Sequence, residues 1–510
     1  MMATSCFARG ESTGARSTGF SRNLASNAQR PTHASPRNPL GLRPGLARRF
    51  LLLIAIFLPA APAVFAAEKT ESDRETDPLV LKKLEWFQDQ KFGLMMHWGI
   101  YSQWGCIESW PLVEVDKWAR PDDLKPWQER GKDFARFVRD YQALNTTFHP
   151  RRFDPAKWAA AAKSAGMKYV VFTTKHHDGF CTFDTHQTDY RTTHASCPFH
   201  ADPQANVAKA VFKAFRRQGF GVGVYFSKAD WHHPDYWSPD RPHTDRNVNY
   251  DTRREPEKWQ RFVRFTHAQI DELLTGYGPV DILWLDAGQV RPPQQDLDMP
   301  RLAAMARRRQ PGLIIVDRTV GGRYENYRTP EQEVPETALP CVWESCLTIG
   351  DQWSYKPGDK YKSAHTLVHL LVDIVAKGGN FLLNIGPDAD GQFPPLTLDR
   401  LRKLGAWMQV NGPAIYGTRA IAPYKEGRTC LTRKGDTIYL IYLGNEGQAG
   451  PPAEFKVSVI HAARGVRMLG SDQPIKWTAD GKQGLTIHVP EVLRKSPPCG
   501  HAWSFAVEMK

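Results

Sequence analysis

The stretch Val280-Asp281-Ile282-Leu283-Trp284-Leu285-Asp286-Ala287-Gly288 constrains the fold more than any other. Five of its first six residues are apolar or aromatic. That run is too continuous for a strand with one wet face, and it reads as a strand buried on both faces of a parallel sheet. It ends on a carboxylate, Asp286, followed by small residues that let the backbone turn. In a β/α barrel the carboxyl ends of the strands open into the active site, so an acid there is placed for chemistry. The plainer alternative is an Asp that caps the next helix or closes a turn.

Similar stretches recur along the chain. Residues 91–99 end on His97-Trp98-Gly99, and residues 168–180 carry His176-His177. Residues 221–227 carry Tyr225, residues 313–318 end on Asp317-Arg318, and residues 342–346 carry Glu344. Residues 380–387 form a seventh, and an eighth is weakly marked near Ala414-Ile415-Tyr416. Helical runs lie between them, around 158–165, 206–218 with Asn206 as N-cap, 257–274 and 364–376. Strands alternating with helices predict an α/β fold, a (β/α)8 TIM-like barrel. A doubly wound open sheet is the alternative, but no Gly-x-Gly-x-x-Gly follows any strand, which disfavours its dinucleotide-binding form. Beyond about residue 418 short alternating strands bounded by Gly, Asn and Pro predict an antiparallel β-sandwich. The expected plan is a leader and signal peptide over 1–67, a catalytic barrel over 68–417 and a sandwich over 418–510.

The formal charge of +13 suggests nucleic acid at first sight. Residues 1–67 hold eight Arg and one acid, Glu11, so seven of those charges lie in the leader and six remain. The remainder is a solvated face, with no nucleic-acid partner expected. Arg48-Arg49 precede the apolar run 50–58, and small residues follow at 63–67. Basic flank, short apolar run and small-residue site describe a secretory signal. The mature protein is therefore expected to start near Ala67 or Glu68, to be exported to the periplasm or outside the cell, and to have no membrane anchor after cleavage. One of the eight Cys, Cys6, lies in the leader. The other seven show neither framework nor zinc spacing, although Cys341 and Cys346 are near enough in sequence to pair.

Read together, the strand ends carry His97, His176, His177, Tyr225, Trp284, Asp286, Arg318 and Glu344. A metal-dependent barrel hydrolase would place a His-x-His pair on one strand. Here the histidines are adjacent, and a strand would point them to opposite faces. Glycoside hydrolysis needs two carboxylates, a polar lining for hydroxyls and an aromatic wall, and the rim has all three. A sugar-binding pseudoenzyme would need the lining without the paired acids. For the second acid there are two candidates. Glu344 ends a strand, between Trp343 and Ser345, where it suits gripping substrate or orienting neighbours. Glu331 lies in the Gly- and Pro-containing segment 321–335, which could present an acid from the leaving-group side.

Several motifs then resemble glycoside hydrolase family 29, the α-L-fucosidases. They are Phe92-Gly93-Leu94-Met95-Met96-His97-Trp98-Gly99, Lys175-His176-His177-Asp178-Gly179-Phe180, Leu283-Trp284-Leu285-Asp286, and Gly378-Gly379-Asn380-Phe381-Leu382-Leu383-Asn384-Ile385-Gly386-Pro387. They fall in the family's order over about 85–420. The resemblance implies a retaining exo-fucosidase that needs no metal or cofactor and acts on fucosylated glycans. It implies Asp286 as nucleophile and Glu331, at a Thr-x-Glu position, as acid/base ahead of Glu344. It places His97, His176, His177, Tyr225, Trp284 and Arg318 against the fucose. Glu108 and Trp110 would join them, although the family often has Glu-Trp adjacent and here Ser109 intervenes. Glu108-Ser109-Trp110 and Thr329-Pro330-Glu331-Gln332 also resemble the branch that prefers α-1,3/1,4 linkages.

Overall fold

The computed structural model describes residues 75–509. The leader, apolar run and cleavage site expected over residues 1–67 lie outside the described residues, as does Cys6. Seven strands form one parallel sheet: β1 (Phe92–Met96), β2 (Tyr169–Lys175), β3 (Gly221–Ser227), β4 (Ile282–Asp286), β5 (Ile314–Asp317), β6 (Glu344–Thr348) and β7 (Asn380–Ile385). Their hydrogen-bonded order is β5-β4-β3-β2-β1-β7-β6. Helices Pro155–Ser164, Val207–Arg217, Pro256–Gly276, Met299–Arg309 and Ala364–Ala376 alternate with them. Asn206 caps its helix as its sequence position suggests, its side chain accepting the Lys209 N–H.

Side chains alternate between the two faces of each strand. Phe92, Leu94 and Met96 of β1, Val170 and Phe172 of β2, and Leu283 and Leu285 of β4 enter the main core with the helices. The intervening residues, among them Met95, Tyr169, Tyr225, Trp284, Val316, Cys346 and Leu382, form a second core inside the curl of the sheet. Helix Pro78–Gln90 closes that inner core with Val80, Leu84 and Phe87. Asp77 caps this helix and Pro78 opens it. Lys83 reaches Asp281 at 2.7 Å, and Asn380 donates to the Phe87 carbonyl at 2.8 Å, so the helix sits at the amino ends of the strands. Each side chain of this size buried there contributes ~1.5–3 kcal/mol. Gly93 is needed for the curl, because a Cβ there would lie 2.3 Å from the Tyr169 ring.

An eight-stranded closed barrel is not what the sheet forms. Among the described residues there are seven parallel strands, and the edges β5 and β6 do not pair with each other. The segment 324–332 lies against both edges instead. It bridges β5 antiparallel, with Asp317 N–H to Tyr324 O at 2.9 Å, and meets the β6 region parallel, with Cys346 N–H to Pro330 O at 3.1 Å. Pro330 has no N–H to donate, and Gln332 has φ 53°, so no regular ladder can run through the segment. The eighth strand expected near Ala414-Ile415-Tyr416 is a 3₁₀ turn, Gly412–Ala414, at the end of helix Pro395–Asn411. Pro413 and the flanking glycines explain why an apolar triplet does not extend there.

Eight antiparallel strands follow: β8 (Arg419–Glu426), β9 (Thr429–Lys434), β10 (Thr437–Leu443), β11 (Glu454–Val457), β12 (Gly465–Met468), β13 (Lys476–Asp480), β14 (Gly484–His488) and β15 (Ala502–Glu508). They make one sheet of order β12-β15-β10-β9-β8 and one of order β11-β14-β13. Leu440, Phe505 and Val507 of the first sheet share a core with Phe455, Leu485 and Ile487 of the second. The other face of the first sheet, including Cys430, Ile441 and Ala502, joins the main core. Trp407 fixes that contact by donating to the Ala502 carbonyl at 2.9 Å. No helix among the described residues is long and apolar enough to cross a membrane.

Candidate active site

The carboxyl ends of β1 to β5 open into a cavity of about 480 Å³. His97, Glu108, Trp110, His176, His177, Tyr225, Trp284, Asp286, Arg318 and Glu331 all line it. The strand-end pattern of the sequence also places Glu344 among them, and the structure does not bring it there. Glu344 lies beneath the cavity, 0% exposed, accepting from Tyr169 at 2.6 Å and from Trp284 and Tyr327 at 3.3 Å each. It starts β6 with its side chain turned into the inner core, two residues below Cys346, which does reach the cavity. Burial pushes its carboxyl up to about 7, against the pull of its three donors.

Asp286 is the best-held acid. Its Oδ1 accepts from Arg318 Nη1 at 3.0 Å and its Oδ2 from the Tyr225 hydroxyl at 2.6 Å. Burial alone would raise its pKa. The Arg318 charge, His177 and the Tyr225 hydrogen bond more than offset that and hold it well below the usual carboxylate range. Arg318 also donates through Nη2 to Glu331 and through Nε to Thr329 Oγ1 at 3.1 Å. One guanidinium therefore grips both Asp286 and Glu331, with the Trp284 ring 5.1 Å beneath it. Glu331 is the exposed partner, its side chain 42% accessible against 15% for Asp286.

The three imidazoles are fixed by their neighbours. Asn384 donates through Nδ2 to the Trp353 carbonyl at 2.6 Å, so its Oδ1, 2.7 Å from His97 Nδ1, must accept a proton from that ring. Ser227 donates to the Ala229 carbonyl at 2.7 Å, so it too must accept, from His177 Nδ1 at 2.7 Å. His97 and His177 are thereby left with a bare Nε2 as a hydrogen-bond acceptor. Burial lowers both pKa values to about 4 despite the nearby Asp286 charge, so each ring is neutral at ordinary pH. His176 Nδ1 lies 2.5 Å from Ser109 Oγ, and burial holds it well below its ordinary value.

The expectation that adjacent histidines must face opposite ways is corrected here. The β2–β3 register slips between Thr173 and Lys175, and β2 ends at Lys175. His176 and His177 therefore sit in a turn, their ring centroids 4.2 Å apart. Together with Asp286 they place ligand atoms within 4.8 Å of one another, a set that could in principle hold a metal. Its chemistry fits a cation poorly, because Arg318 already supplies a fixed positive charge to Asp286 and Tyr225 donates to the other oxygen.

Both Glu108 and Trp110 reach the cavity, and Ser109 between them explains how. Glu108 adopts φ 33°, which turns the chain, and Ser109 Oγ accepts the Asp178 N–H at 2.9 Å, the same oxygen that lies beside His176. Glu108 Oε1 accepts the Ser354 N–H, while Oε2 is buried and has no hydrogen-bond partner in the protein. Burial raises its pKa to about 8, its Ser354 bonds opposing and Glu331 adding to the rise. Residues that sequence reasoning missed include Trp353, Arg246 and Gln289 in the lining, and Asn384, Ser109 and Ser227 behind it. Asn384, in an apolar strand, was the one with a visible signal, because a buried amide there must have a partner. Arg246 lies in the polar stretch 239–255, which has no pattern to betray it.

The arrangement offers two carboxylates on one guanidinium, two bare imidazole acceptors and an aromatic wall, which suits a polyhydroxylated ring. A family model described as "Alpha-L-fucosidase" matches residues 60–413. Tissue alpha-L-fucosidase of Homo sapiens is 28% identical over 489 residues, covering 91% of this chain and 98% of its own length. Alpha-L-fucosidase isoenzyme 1 from Paenibacillus thiaminolyticus has a similar structure, with TM-score 0.69, 30% identity, and coverage of 85% of this chain and 100% of that one. The alpha-fucosidase of Thermotoga maritima, solved in complex with fucose, is similar with TM-score 0.66, 28% identity, and coverage of 83% and 96%. It has also been solved with a mechanism-based inhibitor.

Proposed function

The chain belongs to the α-L-fucosidases of glycoside hydrolase family 29, and we propose that it releases terminal α-L-fucose from glycans with retention, through a fucosyl-enzyme formed on Asp286. The observation that carries this reading is the shared guanidinium of Arg318. A retaining mechanism needs two carboxyl groups only about 5–5.5 Å apart, and a single side chain bonded to both Asp286 and Glu331 supports that spacing. The mechanism-based inhibitor bound by the T. maritima relative supports it as well.

In this reading Asp286, kept ionised, attacks the anomeric carbon. Glu331 gives its proton to the departing glycosidic oxygen and later takes one from water. Water then breaks the ester to Asp286, and fucose leaves with its configuration retained. His97 and His177 accept protons from sugar hydroxyls at their bare Nε2 atoms. Glu108, neutral below about pH 8, uses its unpartnered oxygen for another hydroxyl. Glu331 is preferred over Glu344 as acid/base because its carboxyl faces the cavity, whereas both oxygens of Glu344 are taken by buried donors.

Replacing Asp286 with Ala should lower turnover on the order of 10³-fold or more, with partial rescue by azide, because no other nucleophile replaces it. Replacing Glu331 with Ala should slow a poor leaving group far more than an activated aryl one. The same leaving-group dependence in Glu344→Ala instead would reverse the assignment.

The pH profile of kcat/KM should have two limbs. Both imidazole pKa values are depressed, so activity falls only as pH drops through about 4, where Nε2 takes a proton and stops accepting. The Glu108 pKa is raised, so activity falls again above about pH 8, where Glu108 loses the proton it offers to a sugar hydroxyl. Glu108→Gln should flatten the alkaline limb and leave the acid limb in place.

A preference for α-1,3/1,4 linkages is the finer part of the proposal. It is supported by the Glu108-Ser109-Trp110 and Thr329-Pro330-Glu331-Gln332 segments, which resemble that branch. A Lewis-type trisaccharide should be cleaved faster than a simple aryl fucoside, and the reverse order in a rate panel would remove the preference.

A further inference from the structure

Beside the cavity mouth stands an indole that the proposed chemistry does not use. Trp118 is 55% exposed, and among the described residues it is the one aromatic in the set of strongly exposed large apolar side chains. An isolated exposed apolar residue needs no explanation. This one is not isolated, because Val115 beside it is 60% exposed and the Trp118 ring centroid is 6.1 Å from that of Trp110, a cavity wall.

The ring is also held. Trp118 Nε1 donates to Asp116 Oδ1 at 3.1 Å. Asp116 in turn takes a two-pronged contact from Arg246, Nε to Oδ2 at 2.8 Å and Nη2 to Oδ1 at 2.9 Å. Arg246 lies over Trp110 at 4.3 Å and lines the cavity, with Nη1 left for a ligand. The loop beneath is stiff, since Arg120 donates to the carbonyls of Pro111, Val113 and Glu114 at 2.6 to 2.7 Å. Val115 N–H reaches the Thr244 carbonyl at 3.0 Å, which joins this loop to the one carrying Arg246. The result is an exposed aromatic face, pinned at its edge and continuous with the mouth through Arg246.

We propose that Trp118, Asp116 and Arg246 form a shelf that binds the sugars beyond the scissile bond, so that the preferred substrate is a fucosylated oligosaccharide of at least three units. A pyranose presents an apolar C–H face that stacks on an indole, and its edge hydroxyls suit the free Arg246 donors. Rigidity matters because an ordered platform binds without a further ordering cost. The shelf determines specificity and takes no part in bond cleavage. It deepens the fucosidase reading and rests on it.

The test compares wild-type, Trp118→Ala and Trp118→Phe full-length enzymes on an aryl α-L-fucoside and on a fucosylated trisaccharide whose two other sugars lie on the leaving-group side. The ratio of kcat/KM for trisaccharide over aryl fucoside should fall about tenfold in Trp118→Ala, about 1.4 kcal/mol of transition-state binding, and stay near wild type in Trp118→Phe. An unchanged ratio overturns the shelf, as does an equal fall on both substrates, which would mark a structural role. An unchanged ratio with altered oligomeric state by light scattering would assign Trp118 to an interface between copies and also overturn it. A wild-type enzyme that cleaves the aryl fucoside with an unchanged mutant ratio sinks the shelf alone. One that cleaves neither substrate sinks the hydrolase reading and the shelf together.

Discussion

The site depends on one guanidinium. Asp286 is largely enclosed, its side chain 15% exposed, and an isolated carboxylate in such a place is costly enough that it would take up a proton and could not serve as the proposed nucleophile. Arg318 prevents this by donating to Oδ1, with the Tyr225 hydroxyl on Oδ2. The same guanidinium holds Glu331 on a segment that is not part of any regular strand. Arg318 can do both because the parallel sheet sets it beside the end of β4, its own N–H donating to the Leu285 carbonyl at 3.2 Å. A second buried pair, Lys228 with Asp317, steadies the same corner, since Lys228 also donates to the Val290 carbonyl at 2.9 Å. Removing one member of such a pair leaves the other uncompensated, which is why corners of this kind tolerate little change.

The histidines show how residues outside the cavity set the chemistry inside it. An amide and a hydroxyl, Asn384 and Ser227, have their protons committed to backbone carbonyls. That commitment decides which nitrogen of His97 and His177 carries hydrogen, and so leaves Nε2 as the bare acceptor in the cavity wall. Ser109, the residue intervening between Glu108 and Trp110, serves His176 and Asp178 at once. The local turn it occupies brings both of its neighbours to the wall.

Much of this was legible before the structure. Six of the seven parallel strands are largely apolar runs, β6 (Glu344-Ser345-Cys346-Leu347-Thr348) being the exception, and such runs have few other places to go. Asp286, Tyr225, Arg318 and the histidines could be gathered because strand ends in such a sheet share one rim. Other features were not legible, for physical reasons. Whether Glu344 faces the cavity depends on where β6 begins. It begins at Glu344 itself, which leaves that carboxyl in the inner core. β2 ends at Lys175, so His176 and His177 lie in the turn beyond it, where the strand alternation behind the argument no longer applies. Segment 324–332 contributes backbone bonds to two strand edges without any strand-like pattern, because its geometry is dictated by Pro330 and by the edges it meets. Arg246 and Trp353 arrive on loops whose paths are set by tertiary contacts, which sequence periodicity does not encode.

The central claim is that Asp286 forms the covalent bond. A fucosyl fluoride deactivated by fluorine at C2 should form the ester and slow its hydrolysis. Peptide mass mapping of the treated enzyme should then find one fluorofucosyl increment on the peptide that contains Asp286, and none in Asp286→Asn. A label on a peptide carrying another acid, or an enzyme that turns over natural substrate yet never carries a label, would contradict the account.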